Sequence, residues 1–168
     1  YLQRNHPLQK LILNQFSSLL EMPSDEFIGA HDDCGAPTYF MPLHQMATLY
    51  AKLASGDKLE MERVVRAMTH HPDMISGPQG FDTQLMRITQ GELLSKSGAE
   101  GIQCISQVGS GLGLALKSVD GARRAKYAAA IHVLRQLGWI SPDIADILAG
   151  KYLTLSNYKR LDMVGEVA

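Results

Sequence analysis

The chain has 168 residues, 45% hydrophobic and 20% charged, with a formal net charge of -1. That length fits one domain able to bury a core, and the lack of a basic excess leaves nothing to neutralise nucleic-acid phosphates, so no nucleic-acid partner is expected. No apolar run is long enough to span a bilayer, so no membrane association is expected; two cysteines, Cys34 and Cys104, are too few for a disulfide framework, which makes a reduced, cytoplasmic setting the expectation.

The chain opens on Tyr1 rather than Met and enters a helix almost at once, as expected of a front that was processed, cut or left out. Asn5 is placed to cap that helix and Pro7 to occupy its first turn. Leu8, Leu11, Ile12, Phe16, Leu19 and Leu20 recur at helical spacing, and Pro23 ends the run. An extended piece over 26–30 and a loop over 31–40 are predicted next. Pro42 opens a second helix with Leu43, Met46, Leu49, Tyr50 and Leu53 inward, and Gly56 stops it. Asp57 is the predicted cap of a third helix, with Met61, Val64, Val65 and Met68 buried and an end near Pro72. A short helix from residue 82 to about 88 follows the Gly77, Pro78 and Gly80 loop.

The texture then changes. Apolar runs separated by Ser97-Gly98-Ala99-Glu100-Gly101 and Gly109-Ser110-Gly111-Leu112-Gly113 predict three short antiparallel strands joined by glycine turns. Asp120-Gly121 starts another helix, whose face of Ala125, Ala128, Ala129, Ile131, His132 and Leu137 suits close packing on a sheet, and Gly138 can end it. Ser141-Pro142 caps a last helix that is expected to stop at Gly150, with one strand expected over 163–167. Helices, a meander and a helix imply an α+β fold in which helices pack on an antiparallel sheet. A meander also leaves an edge to be covered. An upstream strand is expected to cover it, so the fold is expected to be incomplete without one.

Two segments carry chemistry. The loop Gly29-Ala30-His31-Asp32-Asp33-Cys34-Gly35-Ala36-Pro37-Thr38 gathers acids, a thiol and an imidazole between apolar helices. Asp32 can bind a substrate ammonium, and Cys34 can be a metal ligand or a redox-sensitive thiol. Equally, this is a turn shaped by Gly and Pro, with Asp32 and Asp33 capping backbone N–H groups. The second segment is Lys96-Ser97-Gly98 at a strand end, a K-[ST]-G element of the kind that lines penicillin-recognising sites. There a strand edge offers backbone groups to a substrate, lysine supplies charge, and glycine permits close approach. The alternative is an exposed lysine at a hairpin.

Other residues read as structural. His70 and His71 are adjacent on a helix and point about 100° apart, so a role near the last carbonyls is expected. His31 and Cys34, at H-x-x-C spacing, lack two further ligands. His132 is expected to be a hydrogen-bonded core residue and Cys104 a buried small hydrophobe. The methionines lie mostly on predicted helix faces and are expected to pack there. Gly109, Gly111 and Gly113 join strands, with no helix to hold phosphate.

On Asp32-Asp33-Cys34-Gly35-Ala36-Pro37 followed by Pro42-Leu43, and on Lys96-Ser97-Gly98-Ala99-Glu100-Gly101, the chain resembles the L-asparaginases of the inducible, thermolabile rhizobial kind. Met74-Ile75-Ser76-Gly77, Phe81-Asp82-Thr83-Gln84-Leu85-Met86, Asn157 and Val164-Gly165 extend the likeness over most of the sequence. Asp33 stands where that family usually has Gly. The resemblance implies a serine β-lactamase/glutaminase-like fold, of which this chain is the C-terminal half of a single domain. It implies hydrolysis of L-asparagine to L-aspartate and ammonia, and is compatible with a homodimer. It gives Lys96 a catalytic role and makes Asp32, Asp33, Gly98 and Glu100 substrate-binding residues. Cys34 becomes a zinc ligand, with partner ligands and the Ser-x-x-Lys nucleophile supplied upstream. The two Ser-x-x-K matches here, Ser55 to Lys58 and Ser156 to Lys159, are read as chance, because neither opens a helix beneath an apolar pocket. Two other readings stand beside this one: a glutaminase or penicillin-type serine amidohydrolase, and a non-catalytic paralogue that serves as an interaction domain.

Overall fold

A computed structural model of the protein describes residues 1–156 and 159–166. Helix α1 (Pro7–Leu20) is capped by His6, one residue after the expected Asn5; the His6 Nδ1 accepts the Leu8 N–H at 3.1 Å. Pro7 stands where its missing N–H would have had no partner anyway. A 3-10 turn (Ser24–Glu26) then leads into β1 (Gly29–His31) and β2 (Pro37–Tyr39). These pair antiparallel with Ala30 opposite Thr38. The stretch read as an extended piece and a loop is therefore a hairpin, with Asp32-Asp33-Cys34-Gly35 at its tip. Gly35, at φ 77°, supplies the left-handed residue that the tip requires.

Helices α2 (Leu43–Ala54), α3 (Leu59–His70), α4 (Asp73–Ser76) and α5 (Phe81–Ile88) follow. Lys58, not Asp57, occupies the cap position of α3, and no side chain closes that end. The expected meander is present as β3 (Leu93–Ser97), β4 (Ile102–Gln107) and β5 (Leu112–Lys117), in spatial order β3-β4-β5. Helices α6 (Arg123–Gln136) and α7 (Pro142–Tyr152) and a small hairpin of β6 (Thr154–Ser156) and β7 (Lys159–Arg160) complete the described chain. The architecture is α+β, as the element order predicted.

Strand alternation divides the core in two. Leu93 and Ile105 face Phe81, Leu85, Ile131, Leu134 and Leu148 from α5, α6 and α7. On the other sheet face, Leu94 packs with Val65 and Met86, and Tyr50, Leu53 and Met68 lie against them. Each fully buried aliphatic or aromatic side chain contributes about 2 kcal/mol. Helix α2 lies against β4 and β5 because Gly113 has no side chain. A Cβ there would stand 2.1 Å from the Ala47 carbonyl oxygen and 2.7 Å from the Ala51 nitrogen.

Further expectations need correction, among them an inward Leu43 and a buried Val64, which are both exposed. Helix α7 runs through Gly150 to Tyr152, because glycine's penalty of about 1 kcal/mol is outweighed by burial of Leu148, Ala149 and Leu153 around it. No strand forms over 161–166; the tail instead folds back as β6 and β7, and Val167 lies outside the described residues. The apolar face of α1 is not sealed. Leu8 and Leu11 are exposed and Gln9 is the buried residue. Ile12, Phe16 and Leu19 instead border an apolar groove of about 700 Å³, shared with Tyr39, Met46, Leu49 and Cys104. The methionines are mostly buried or half-buried, as expected, with Met74 exposed. No described helix is long and apolar enough to cross a membrane.

Substituting Gly113→Ala forces the α2 backbone off the sheet. We expect a loss of about 2 kcal/mol and a Tm lower by about 4–8 °C. Gly150→Ala, which meets nothing within 4 Å, is expected to raise stability by roughly 0.5–1 kcal/mol. Thermal melts of both variants check the pair, and equal shifts would contradict this account of α2 packing.

Candidate active site

Between β3 and β4, the Gly98 N–H donates to the Ile102 oxygen and the Val108 N–H to the Glu92 oxygen, both at 2.9 Å. This register turns the even-numbered residues of β3 into the ladder. The backbone groups of Leu93, Ser95 and Ser97 therefore face the outer edge. Side chains of the protein itself occupy that edge at Ser97. Its N–H donates to Asp82 Oδ2 at 2.9 Å, and its carbonyl accepts from Lys96 Nζ.

Asp82 is only 1% exposed. Its Oδ1 accepts from Ser95 Oγ at 2.7 Å and from Gln103 Nε2 at 2.8 Å. Gln103 Nε2 also reaches Ser95 Oγ, and Gln103 Oε1 accepts from Ser97 Oγ, both at 2.9 Å. A carboxylate this deep is tolerated because it is hydrogen-bonded at both oxygens. It also stands in the first turn of α5, where the helix field favours negative charge. Gly80 brings that turn close to Ser76: a Cβ would fall 2.1 Å from the Ser76 Oγ.

Lys126 approaches the same strand end from α6. It is 3% exposed, and its Nζ donates to the Ile102 oxygen at 3.1 Å and the Gly98 oxygen at 3.4 Å. It lies 5.3 Å from the centroid of the Tyr127 ring. Burial holds its pKa below the ordinary lysine value; the Asp82 charge opposes this, while Arg123 and Lys96 add to it. Sequence reasoning did not single out this lysine. The signal was its spacing: Lys126, Ala130 and Leu134 form one i, i+4, i+8 stripe, and all three are buried. The Phe81, Tyr127 and Tyr152 rings cluster beside it with centroids 4.7 to 5.3 Å apart, Phe81 stacked on Tyr127 and edge-on to Tyr152. Burial raises the Tyr127 pKa and pushes Tyr152 up to about 12, so both phenols stay protonated at neutral pH.

Lys96, Gly98 and Glu100 are thus near neighbours at the end of β3. Lys96 is half-buried and lies opposite Cys104 on β4; Gly98 and Glu100 are exposed. The Glu100 backbone, at φ 52°, shapes the turn, and its carbonyl accepts from Lys117 Nζ. Asp32, Asp33 and Cys34 lie apart from these, exposed at the β1–β2 tip. Asp32 Oδ1 accepts the N–H groups of Cys34 and Ala36, each at 2.9 Å, which is the turn-capping arrangement foreseen as one alternative. Among the described residues, no hydrogen bond or ion pair joins this tip to the end of β3. Nor do three His, Cys, Asp or Glu side chains converge to hold a metal. A structural zinc needs four ligands, and among the described residues Cys34 has no such set around it.

Neither Ser-x-x-K match opens a helix. Ser55 is the C-cap of α2, its hydroxyl donating to the Lys52 oxygen, and Lys58 precedes α3. Ser156 and Lys159 pair across the β6–β7 hairpin. His70 sits at the end of α3, as expected, with Nδ1 2.9 Å from the Arg66 oxygen. His132 is hydrogen-bonded but lies near the surface rather than in the core, with Nε2 2.8 Å from the Gly165 oxygen. Asn157 lies outside the described residues.

A buried carboxylate and a buried lysine that meet at one strand end of an α+β domain mark a candidate enzyme site. Matched against known families, the chain belongs to the L-asparaginase II family, whose model covers residues 1–168. No curated protein matches it.

The two thiols differ sharply. Cys34 is exposed, whereas Cys104 is buried and its thiol is pushed up to about 11, by burial first and then by the Asp82 charge. A thiol-disulfide reagent near neutral pH is expected to titrate one fast thiol per chain, lost in Cys34→Ser, with Cys104 reacting only on unfolding. A second fast thiol would place Cys104 outside the core.

Lys126 predicts a pH effect on stability. Its folded pKa lies below the ordinary 10.5, so between those values the unfolded chain binds more protons and stability rises with pH. Below that window the burial penalty is fully present. Melts of wild type and Lys126→Met across this range should show the wild type gaining on the variant as pH approaches 10.5. A pH-independent difference would rule out this role for the lysine.

Proposed function

We propose that the chain serves the hydrolysis of the L-asparagine side-chain amide to L-aspartate and ammonia, in a serine β-lactamase-like fold of the inducible, thermolabile rhizobial kind. The match to the L-asparaginase II family over the whole chain carries this reading, and the Lys96-Ser97-Gly98 strand end gives it a place to act. The attacking serine comes from outside these 168 residues, since neither Ser55 nor Ser156 stands at the start of a helix with its lysine one turn on. That serine adds to the amide carbon; the C–N bond breaks, ammonia leaves with a proton, and water hydrolyses the acyl-enzyme. Lys96 takes and returns the protons of these steps and stabilises the developing negative charge. Asp32 keeps Oδ1 in its turn and meets the substrate α-ammonium with Oδ2. Asp33 supports that charge, and Gly98 and Glu100 line the approach at the strand end.

Ammonia release from asparagine, glutamine and a penicillin amide tests the reading, on this chain alone and on a polypeptide extended into its natural upstream reading frame. Asparagine is expected to be the preferred substrate, with activity only in the longer polypeptide. Lys96→Ala is expected to lower kcat by about 10²–10⁴, and Asp32→Asn to act mainly on KM. Wild-type rates in Lys96→Ala would sink the assignment. Activity of the short chain alone would move the nucleophile to Ser95, Ser97 or Ser55.

A further inference from the structure

We infer that Asp82 and Lys126 are a pair of positioning residues, one from α5 and one from α6, that clamp the backbone at the end of β3 and thereby fix where the Lys96 amine stands. The catalytic consequence rests on the function proposed above; the clamp itself does not.

Three backbone groups of Ser97 and Gly98 carry the inference. The Ser97 N–H is taken by Asp82, the Ser97 carbonyl by Lys96, and the Gly98 carbonyl by Lys126, which also holds the Ile102 carbonyl. The Lys96 head group is therefore tied to a peptide unit that buried charges fix on both sides. The ladder holds the other end of that unit, through the Gly98 N–H on the Ile102 oxygen at 2.9 Å, and the two buried charges hold the peptide units on either side of it. Beyond it the turn is open to solvent, with Gly98, Ala99 and Glu100 exposed.

Apolar side chains of similar size would give α5 and α6 equal or better packing, because buried charges are costly and hydrophobic replacements of them are often neutral or stabilising. What a buried carboxylate and a buried ammonium provide, and apolar groups do not, is a directed hydrogen bond to a chosen backbone atom. Asp82 and Lys126 form no ion pair with each other among the described residues, yet each carries the charge that offsets the other's burial. The charged and titratable groups acting on Lys126 are Asp82 from α5, Lys96 from the strand end of β3, and Arg123 and Tyr127 from α6 itself. Of these, only Asp82 is an anion.

The test compares wild type with Lys126→Met, Lys126→Arg and Asp82→Asn. The first readout is the rate at which a water-soluble amine-acylating reagent labels Lys96, measured by peptide mass spectrometry with exposed Lys10 as internal reference. Lys126→Met and Asp82→Asn are expected to release Lys96 and raise its labelling severalfold relative to Lys10, while Lys126→Arg, which keeps the charge and the donors, stays near wild type. The second readout is asparagine hydrolysis by the active form: kcat is expected to fall by about 10² in Lys126→Met with KM little changed, and to be largely restored in Lys126→Arg. Wild-type labelling of Lys96 in any folded variant that lacks one half of the clamp overturns the inference. Should Lys126→Met not fold, Asp82→Asn gives the same reading from the opposite side. Labelling needs no turnover, so released Lys96 without any asparagine hydrolysis would count against the proposed function and leave the clamp standing.

Discussion

A carboxylate shut away from water must find a hydrogen-bond donor for each oxygen, and that requirement at Asp82 organises the centre of this domain. Ser95, Ser97 and Gln103 supply the donors, and they can do so only if β3 and β4 keep their register, α5 begins where it does, and Gly80 allows its first turn to close on Ser76. A slip of one residue in β3 would replace Ser95 and Ser97 on that face with Leu94 and Lys96 and leave the acid without partners. The polar network therefore specifies register where apolar burial alone would tolerate alternatives. Ser106 Oγ is the one buried side-chain polar atom among the described residues without a partner. It lies on the opposite sheet face, away from this network.

The same register sorts the two faces of the sheet. The face with Asp82 carries the larger apolar core and both α6 and α7. The other carries α2, admitted by Gly113, and then opens into the apolar groove below α1. Cys104 and Tyr50 stand at the floor of that groove, and both are harder to ionise than in water, chiefly because they are buried. Helix α1 and the first hairpin are held mainly by a triad of rings, Phe16, Phe27 and Tyr39, with centroids 5.7 to 6.4 Å apart. The acids of the hairpin tip belong to this N-terminal third.

Much of this was legible in the sequence, for physical reasons that can be named. The meander was visible because glycines at positive φ punctuate it, and most helices because apolar residues recur at 3–4 spacing. The β1–β2 hairpin was hidden because its strands are three residues long, too short for a period of two to stand out. Helix α7 overran Gly150 because burial on either side of a single glycine outweighs its propensity. At the site, the Lys96-Ser97-Gly98 element was legible as a motif, whereas Asp82 and Lys126 were not. Each is charged, and charge reads as surface until contacts show otherwise. Lys126 nevertheless fell on the buried stripe of α6, and weighing position above residue type would have found it.

The separation of the two predicted halves bears on how such a site would work. An amino-acid amide brings an ammonium, a carboxylate and a neutral amide, so it needs an anion and a cation held a fixed distance apart. Here the anions sit on an exposed hairpin tip, and the cations sit at a strand end fixed by buried charges. Precision is therefore built into the side that would manage protons and developing charge, where a small displacement is expensive. The side that would only capture an ammonium can remain a turn whose one fixed feature is Asp32 Oδ1 on the Cys34 and Ala36 amides.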